Sequence, residues 1–192
     1  MSIKSTTILD LNSGKFKVSY HSTNHGEVVS FSFGDLKKSV PIVRLHSACL
    51  FGEAFLSKHC DCFEQLQKSL NLIKKHGCGV VVYGFQEGRG IGLEKKIKAM
   101  EIQRLENLDT FDAFKKLGLP PDLREYDTMI EALKDLNTNK NIILVSNNPD
   151  KIKSTEKGGY CIKKIIKLKV KLNKYIQHER LAKKNKMGYY MD

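Results

Sequence analysis

The residues most able to do chemistry are three cysteines, which follow the pattern C-x10-C-x-C at Cys49, Cys60 and Cys62. The chain has five cysteines, and its N-terminus lacks the apolar stretch of a secretory signal. An odd number of reduced, clustered thiols favours a metal such as Zn²⁺ over a disulfide framework. Three protein ligands and one open position are typical of catalytic zinc. The alternative is that His46 or His59 closes a four-ligand structural site.

The local setting of these thiols also favours metal binding. Cys60 and Cys62 are two residues apart, so an extended segment would place both sulfurs on the same side. Cys62 lies at the predicted N-terminus of a helix, where the helix dipole favours a thiolate. Cys78 and Cys161 lie beside apolar segments, and we expect both to be buried core thiols.

A glycine-rich segment, Q-E-G-R-G-I-G-L at 86–93, directly follows a predicted strand. Gly88, Gly90 and Gly92 allow close approach of the backbone to a ligand, and Arg89 can pair with phosphate. A turn between strand and helix can hold an anion in this way. Alternatively, the segment is a structural turn, because neither the P-loop ending nor the G-x-G-x-x-G pattern is present.

Two further polar segments are candidates for ligand contact. P-P-D-L-R-E at 120–125 places Asp122 and Arg124 behind a rigid di-proline, although a D-x-x-E pattern also fits a helix N-cap without chemistry. S-N-N-P-D-K at 146–151 follows an apolar strand, where polar residues commonly meet ligands, and Lys151 could reach a phosphate. The alternative there is an Asx-type turn before Pro149.

These segments need elements to position them, and the hydrophobic pattern predicts a mixed α/β fold in one domain over residues 1–192. Period-2 alternation and apolar runs predict strands over 15–22, 27–33, 41–46, 79–85 and 141–146. Helical spacing predicts helices over 63–77, 93–106 and 126–136, another opened by Pro149, and a basic terminal helix over 170–188. The start is therefore strand-rich, and strands and helices alternate after residue 60.

Composition excludes several classes of protein. Of the 192 residues, 41% are hydrophobic and 28% are charged, which suits a packed core and argues against global disorder. No apolar run reaches the roughly 20 residues that span a bilayer, so we expect a cytoplasmic protein without a membrane partner. The net charge is +12, with 20 basic and 18 acidic side chains up to residue 150 and 13 against 3 beyond it. The basic tail is either a solvated helix face or a surface for nucleic acid or anionic small molecules.

Taken together, the segments resemble GTP cyclohydrolase II in its stand-alone form. The similarity is collinear from about residue 41 to 151 and rests on V-R-L-H-S-A-C, G-E-A-F-L-S-K-H-C-D-C-F-E-Q-L, Q-E-G-R-G-I-G-L-x-x-K-I-K-A, D-x-R-E-Y and S-N-N-P-x-K. It implies a homodimer that binds zinc through the three cysteines, with Asp122 as proton acceptor and Arg124 as nucleophile toward the α-phosphate. The implied nucleotide site is formed by Arg44, Leu45, His46, Ser47, Ala48, Gln65, Glu87, Gly88, Arg89, Thr110, Ser146 and Lys151.

The resemblance also implies an activity. Family members release pyrophosphate from GTP with Mg²⁺ on the phosphates, add zinc-activated water at C8, open the imidazole ring and expel formate, at the head of riboflavin synthesis. Three thiolates leave a zinc site with a negative net charge, so nearby donors and a base must assist. The phosphate charge of GTP would be offset by Arg89, Lys151 and Mg²⁺.

The sequence departs from the family at two positions. Ala48 precedes the first zinc cysteine, where the family usually has Glu, and Met100 stands where the family usually has Tyr. Met100 cannot donate a proton or orient water. The leading hypothesis is a zinc-dependent GTP hydrolase of the cyclohydrolase II type, which releases formate if the reaction is complete. The two substitutions predict instead that the formylated pyrimidine accumulates, and the alternative hypothesis is a divergent cyclohydrolase that stops there and serves a pathway other than riboflavin. A further hypothesis is a nucleotide- or RNA-binding module with structural zinc. Against it, the tail has few aromatic side chains among its basic residues on which bases could stack.

Overall fold

The computed structural model describes residues 2–190, so residues 1, 191 and 192 of the predicted domain lie outside the described part. A mixed sheet of seven strands, in the order β1-β2-β3-β5-β4-β6-β7, forms its centre. The strands are β1 (Ser2–Leu11), β2 (Gly14–Thr23), β3 (Gly26–Phe33), β4 (Ile42–Ser47), β5 (Gly79–Gly84), β6 (Asn141–Val145) and β7 (Cys161–Ile166). The predicted mixed α/β fold is confirmed.

The sheet has an antiparallel half and a parallel half. β1, β2, β3 and β5 pair as antiparallel neighbours, whereas β5, β4, β6 and β7 run parallel. Parallel neighbours need long crossover connections, and helices supply them here. The carboxyl ends of the parallel strands therefore lie along the same edge of the sheet.

Residues 2–190 contain seven helices and a 3₁₀ turn at Glu87–Gly90; the last helix follows the final strand, and the others lie between strands. The helices are α1 (Leu50–Glu53), α2 (Cys62–His76), α3 (Leu93–Glu106), α4 (Thr110–Lys116), α5 (Asp127–Asp135), α6 (Pro149–Lys157) and α7 (Lys174–Met187). None of these helices is long and apolar enough to cross a membrane.

Helices cover both faces of the sheet, which explains the uninterrupted apolar run of β5. Val80 and Val82 belong to one buried cluster with Met129 of α5, whereas Val81 belongs to another with Ile73 of α2. Successive side chains of a strand point to opposite faces, so a segment covered on both faces favours apolar side chains at consecutive positions.

Most predicted elements are confirmed to within a few residues. α3 spans the predicted 93–106, and α2 ends at Gly77, whose φ of 91° is the left-handed conformation typical of a helix end. β1, α1 and α4 were not predicted, because β1 is a mostly exposed edge strand and the two helices have only 4 and 7 residues. The basic terminal helix begins at Lys174, later than the predicted residue 170, because the Asn173 side chain caps it.

Two expectations about the cysteines are wrong. Cys161 is exposed, because it begins the edge strand β7, whereas Cys78 is buried as predicted. Cys60 and Cys62 do not lie on an extended segment, since Asp61 between them has φ −104° and ψ 16°. The turn into α2 brings their sulfurs together instead.

Candidate active site

Three polar segments meet at the carboxyl edge of the parallel strands, around a cavity of about 830 Å³. Residues 47–49 end β4, residues 86–89 follow β5, and residues 146–148 follow β6. Open α/β sheets commonly bind ligands in the crevice at this edge. The cavity volume lies within the usual range of small-molecule sites.

All but two of the residues predicted for the site line this cavity. The lining set comprises Arg44, His46, Ser47, Ala48, Cys49, Cys60, Cys62, Gln65, Glu87, Gly88, Arg89, Met100, Thr110, Arg124, Ser146 and Lys151. Leu45 is absent from the wall because side chains alternate along β4, and its own side chain packs in the core. Its carbonyl oxygen nevertheless accepts a hydrogen bond of 2.8 Å from Lys151 Nζ. Asp122 lies behind Arg124.

The three predicted metal ligands form one cluster. The sulfurs of Cys49, Cys60 and Cys62 all lie within 4.8 Å of one another, and no His, Asp or Glu of the described residues joins them. Gly52 of α1 is required beside them, because a Cβ there would lie 2.5 Å from the Cys60 sulfur. This donor set fits Zn²⁺, since three thiolates facing a cavity leave one coordination position open.

Neither histidine closes the cluster, so the expectation of a four-ligand structural site finds no support in residues 2–190. The Nε2 atom of His46 lies 2.9 Å from Glu53 Oε1, and the ring of His59 packs against Tyr175 with centroids 4.3 Å apart. Burial lowers the pKa of His46 to about 4, which keeps its ring neutral near pH 7.

A charged pair that sequence reasoning missed lies against the thiol cluster. Lys96 of α3 places its Nζ atom 3.3 Å from the Cys49 sulfur and 2.6 Å from Glu87 Oε1. Hydrogen bonds from the Cys60 and Cys62 thiols, together with the Lys96 charge, lower the pKa of Cys49. These contacts favour the thiolate form of Cys49. The motif containing Lys96 was part of the resemblance, but its spacing did not indicate a contact with Cys49.

A second group that sequence reasoning missed is Glu53, which holds the backbone of the predicted metal ligand Cys49. Its Oε1 atom accepts a hydrogen bond of 3.1 Å from the Cys49 amide, and its Oε2 atom accepts one of 2.6 Å from the Tyr83 hydroxyl. The same carboxylate meets His46, as described above. Glu53 therefore couples the end of β4 and the middle of the sheet to the segment that carries Cys49.

The glycine-rich segment forms a tight turn at the cavity wall. Gly88 has φ +61° and Gly90 has φ +85°, and a Cβ at Gly90 would lie 3.0 Å from the Leu123 backbone. Arg89 also has a positive φ of 59°, which is strained for a residue with a side chain. Strain of this kind clusters at functional sites, which favours the ligand-binding interpretation over a purely structural turn.

Asp122 and Arg124 form a buried ion pair. The Arg124 Nε atom donates to Asp122 Oδ1 at 2.8 Å, and the Arg124 Nη2 atom donates to Oδ2. The helix-cap interpretation of Asp122 is wrong, because α5 begins at Asp127 with Tyr126 before it. Although burial opposes both charges, the pairing lowers the pKa of Asp122 and raises that of Arg124, so both groups are ionised.

The segment after β6 forms a turn and also faces the cavity. The Asn148 amide donates to Ser146 Oγ at 3.1 Å, and the Asn148 side chain caps α6 by accepting from the Asp150 amide at 2.8 Å. The predicted turn is therefore present. Burial, with the charges of Arg124 and Arg44, holds the pKa of Lys151 well below its usual range, so an incoming anion would favour its charged form.

The basic terminal helix is neither fully solvated nor free. Tyr175, Glu179 and Lys183 of α7, and Tyr189 after it, line the cavity. The Tyr189 hydroxyl lies 2.8 Å from Arg124 Nη2 and 2.8 Å from Asn148 Nδ2. The sequence carried no signal for this placement, because α7 contacts segments that lie many residues before it.

Comparison with known proteins matches the chain to one family. A sequence model of the family described as GTP cyclohydrolase II matches residues 3–167. The chain is 38% identical to GTP cyclohydrolase-2 of Shewanella sp. (strain W3-18-1), over 86% of this chain and 81% of that protein. It is 41% identical to GTP cyclohydrolase-2 of Tolumonas auensis, over 85% of this chain and 82% of that protein.

Other relatives are longer. The riboflavin biosynthesis protein RibBA of Aquifex aeolicus is 42% identical over 92% of this chain, which spans only 44% of that protein. The chain therefore covers less than half of this relative. A solved structure, the two-domain 3,4-dihydroxy-2-butanone 4-phosphate synthase RibBX of A. baumannii, matches with a TM-score of 0.48 and 15% identity, over 88% of this chain and 40% of that chain.

Proposed function

Because the chain belongs to the GTP cyclohydrolase II family, we propose that it hydrolyses GTP, releasing pyrophosphate and opening the imidazole ring at C8. The observation that carries the proposal is the cavity wall, where a cluster of three thiols and several buried cations face the same space. A purine with a charged phosphate chain needs both features in one site.

Zinc is the metal that this site would hold, through Cys49, Cys60 and Cys62. Zinc bound there would activate water for attack on C8 and polarise the bond that breaks. Glu53 fixes the Cys49 backbone, and Lys96 offsets part of the negative charge of three thiolates. These two residues keep the ligands oriented, as partners of metal ligands generally do.

The phosphate chain would lie among the cations of the wall. Arg89 can form two parallel hydrogen bonds to a phosphate, and Lys151 gains charge when an anion arrives. Arg44 is positioned by Gln65, whose Oε1 atom accepts a hydrogen bond of 2.5 Å from Nη2. GTP carries about four negative charges, so Mg²⁺ on the phosphates would offset the remainder.

Asp122 and Arg124 would carry the phosphate step. Attack by Arg124 on the α-phosphorus forms a P–N bond and breaks the P–O bond to pyrophosphate, and water then cleaves the P–N bond. In the free protein the proton stays on Arg124, because the pKa of Arg124 is raised and that of Asp122 is lowered. Asp122 Oδ1, 2.8 Å from Nε, is placed to take that proton when the arginine reacts.

The product depends on two residues of the wall. Met100 and Ala48 both line the cavity, and neither can move a proton or hold water. Ring opening leaves a formamide on the pyrimidine, and its hydrolysis needs a positioned water and protonation of the leaving amine. We therefore propose that the formylated pyrimidine monophosphate accumulates, and that Met100→Tyr increases formate release.

One incubation tests the function. Purified zinc-loaded protein is mixed with GTP and Mg²⁺, products are identified by mass spectrometry, and pyrophosphate and formate are quantified. Pyrophosphate with a ring-opened, formylated product is expected. If the amount of formate equals the amount of pyrophosphate, the protein carries out the complete reaction of riboflavin synthesis. If GTP stays intact, the proposed activity is overturned. The predicted domain over 1–192 and the homodimer stay proposals, which limited proteolysis and sedimentation would test.

A further inference from the structure

The last helix places a carboxylate inside the candidate nucleotide site. Glu179 of α7 lies 2.5 Å from Arg89 Nη2 through Oε1, and its Oε2 atom accepts a hydrogen bond of 2.5 Å from the Thr110 hydroxyl. Lys183, one turn later, lies 3.3 Å from the same carboxylate. The Glu179 side chain is only 17% exposed, so these contacts are enclosed by protein.

This arrangement resembles a bound anion. Burial by itself opposes the negative charge, but the charges of Lys183 and Arg89 lower the pKa of Glu179 to about 2. The group is therefore a carboxylate at neutral pH. A carboxylate offers a planar pair of oxygen acceptors, and a phosphate offers a tetrahedral set. Arginine can bind either group through a pair of its N–H groups.

Two of the three groups that hold Glu179 are expected to bind GTP. Arg89 and Thr110 both belong to the nucleotide site that the family resemblance implies, and both line the cavity. A phosphate cannot occupy the donors of Arg89 and Thr110 while Glu179 fills them. Nucleotide binding and the present position of Glu179 therefore compete.

Further contacts hold α7 in this position. Lys186 Nζ lies 2.6 Å from Asp109 and 2.5 Å from Asp112 at the start of α4, outside the cavity wall. Tyr189 hydrogen-bonds Arg124, as described above. The segment from Glu179 to Tyr189 thus contacts both Arg89 and Arg124, which lie on two different loops.

We propose that Glu179 is an internal anion that occupies Arg89 and Thr110 in the free protein, and that the polyphosphate of a nucleotide displaces it together with α7. The proposal rests on the proposed function and deepens it. Glu179 keeps Arg89 and Lys183 paired while the site has no substrate, which avoids buried cations without a partner. A triphosphate with about four charges can displace one carboxylate, whereas a monoanion has no such advantage.

If Glu179 competes with the polyphosphate of a nucleotide, removing the Glu179 charge should strengthen nucleotide binding. Glu179→Gln keeps the shape of the side chain but loses the charge-assisted contacts to Arg89 and Lys183. We expect a non-hydrolysable GTP analogue, and also inorganic tripolyphosphate, to bind about tenfold more tightly by calorimetry, which equals about 1.4 kcal/mol. Glu156→Gln is the matched control, because Glu156 is an exposed residue of α6 and its loss changes the net charge equally. Its affinity should match that of the unchanged protein.

Hydrogen exchange reports the helix movement independently. In the unchanged protein, amides of residues 174–187 should exchange faster when the GTP analogue is bound, because α7 has left its contacts. Lys186→Met is a second variant, which loosens α7 without touching Arg89, and it should tighten binding in the same direction by a smaller factor. It decides the question if Glu179→Gln fails to fold.

The outcomes separate this proposal from the proposed function. Tighter tripolyphosphate binding by Glu179→Gln without any binding of the GTP analogue would support the internal anion and refute GTP as substrate. Equal or weaker binding of both probes by a folded Glu179→Gln variant would overturn the internal anion, even if GTP is hydrolysed. Slower exchange of residues 174–187 on nucleotide binding would also overturn it, since α7 would then be part of the bound state. Failure of every variant to bind either probe would refute both.

Discussion

Replacing Lys96 by Met should weaken zinc binding, although Lys96 is not a ligand. Its ammonium lies 3.3 Å from the Cys49 sulfur, and its side chain is only 16% exposed. At an effective dielectric constant of about 20, a unit charge at that distance from a thiolate contributes about 5 kcal/mol of attraction. The cost of burying the ammonium and the negative charge of Glu87 beside it offset much of this attraction. Partners of metal ligands typically change metal affinity by about 10- to 100-fold, and we expect a loss in that range.

The measurement is competition for zinc against a chromophoric chelator at fixed pH, with melting temperature as the check on folding. Lys98→Met is the matched control, because Lys98 lies on the same helix and pairs with Glu94 at 2.6 Å, as Lys96 pairs with Glu87. The side chains of Lys98 and Glu94 are 60% and 79% exposed, so Lys98→Met should leave the zinc affinity unchanged. Lys96→Arg, which keeps the charge, should retain most of the affinity.

An equal zinc affinity for folded Lys96→Met and Lys98→Met would refute the reasoning. It would mean that the thiolates and the ion set the charge balance without help from α3. A loss of affinity in Lys96→Arg as large as in Lys96→Met would show instead that the shape of lysine matters and its charge does not.

Three other predictions follow from the same geometry. Cys62→Ser should lose zinc and GTP turnover, whereas Cys161→Ser, at an exposed position, should keep both, as metal analysis and product assay will show. Asp122→Asn should lower the free energy of unfolding by about 3–5 kcal/mol and stop pyrophosphate release, because it leaves the Arg124 charge buried without its partner; a loss of only about 1 kcal/mol would be that of an ordinary cap. The pKa of Glu179 is about 2 in the folded state, against an ordinary 4.5. The Glu179 charge therefore contributes roughly 3 kcal/mol to the free energy of unfolding above pH 4.5, and this contribution is lost as the pH falls toward 2. The difference in unfolding free energy between the unchanged protein and Glu179→Gln should shrink over that window, and a constant difference would show that Glu179 does not carry its charge in the folded state.

Local patterns in the sequence were sufficient for the cluster of three thiols and for most of the helices and strands. Cys49, Cys60 and Cys62 lie close along the chain, so a short helix and one turn bring them together, and their pattern survives in the folded site. The central strand β5 was readable from the sequence because Val80, Val81 and Val82 are buried on both faces of the sheet, which produces a continuous apolar run. Hydrophobic periodicity also placed α2, because its apolar side chains recur at helical spacing along a helix of 15 residues.

Only the tertiary structure decided which charged groups meet. Glu179 pairs with Arg89 across 90 residues, and Lys96 approaches Cys49 across 47, contacts that depend on the path of the chain and carry no local signal. The D-x-x-E pattern at Asp122 was misleading for a different reason, because its carboxylate pairs with Arg124, two residues along the chain, and α5 begins only at Asp127. Charge can be counted from the sequence, but an ion pair needs two groups within a few ångströms, and packing of the sheet and helices sets that distance. The sequence therefore left the role of the basic tail open, whereas the fold places α7 and Tyr189 at the cavity wall.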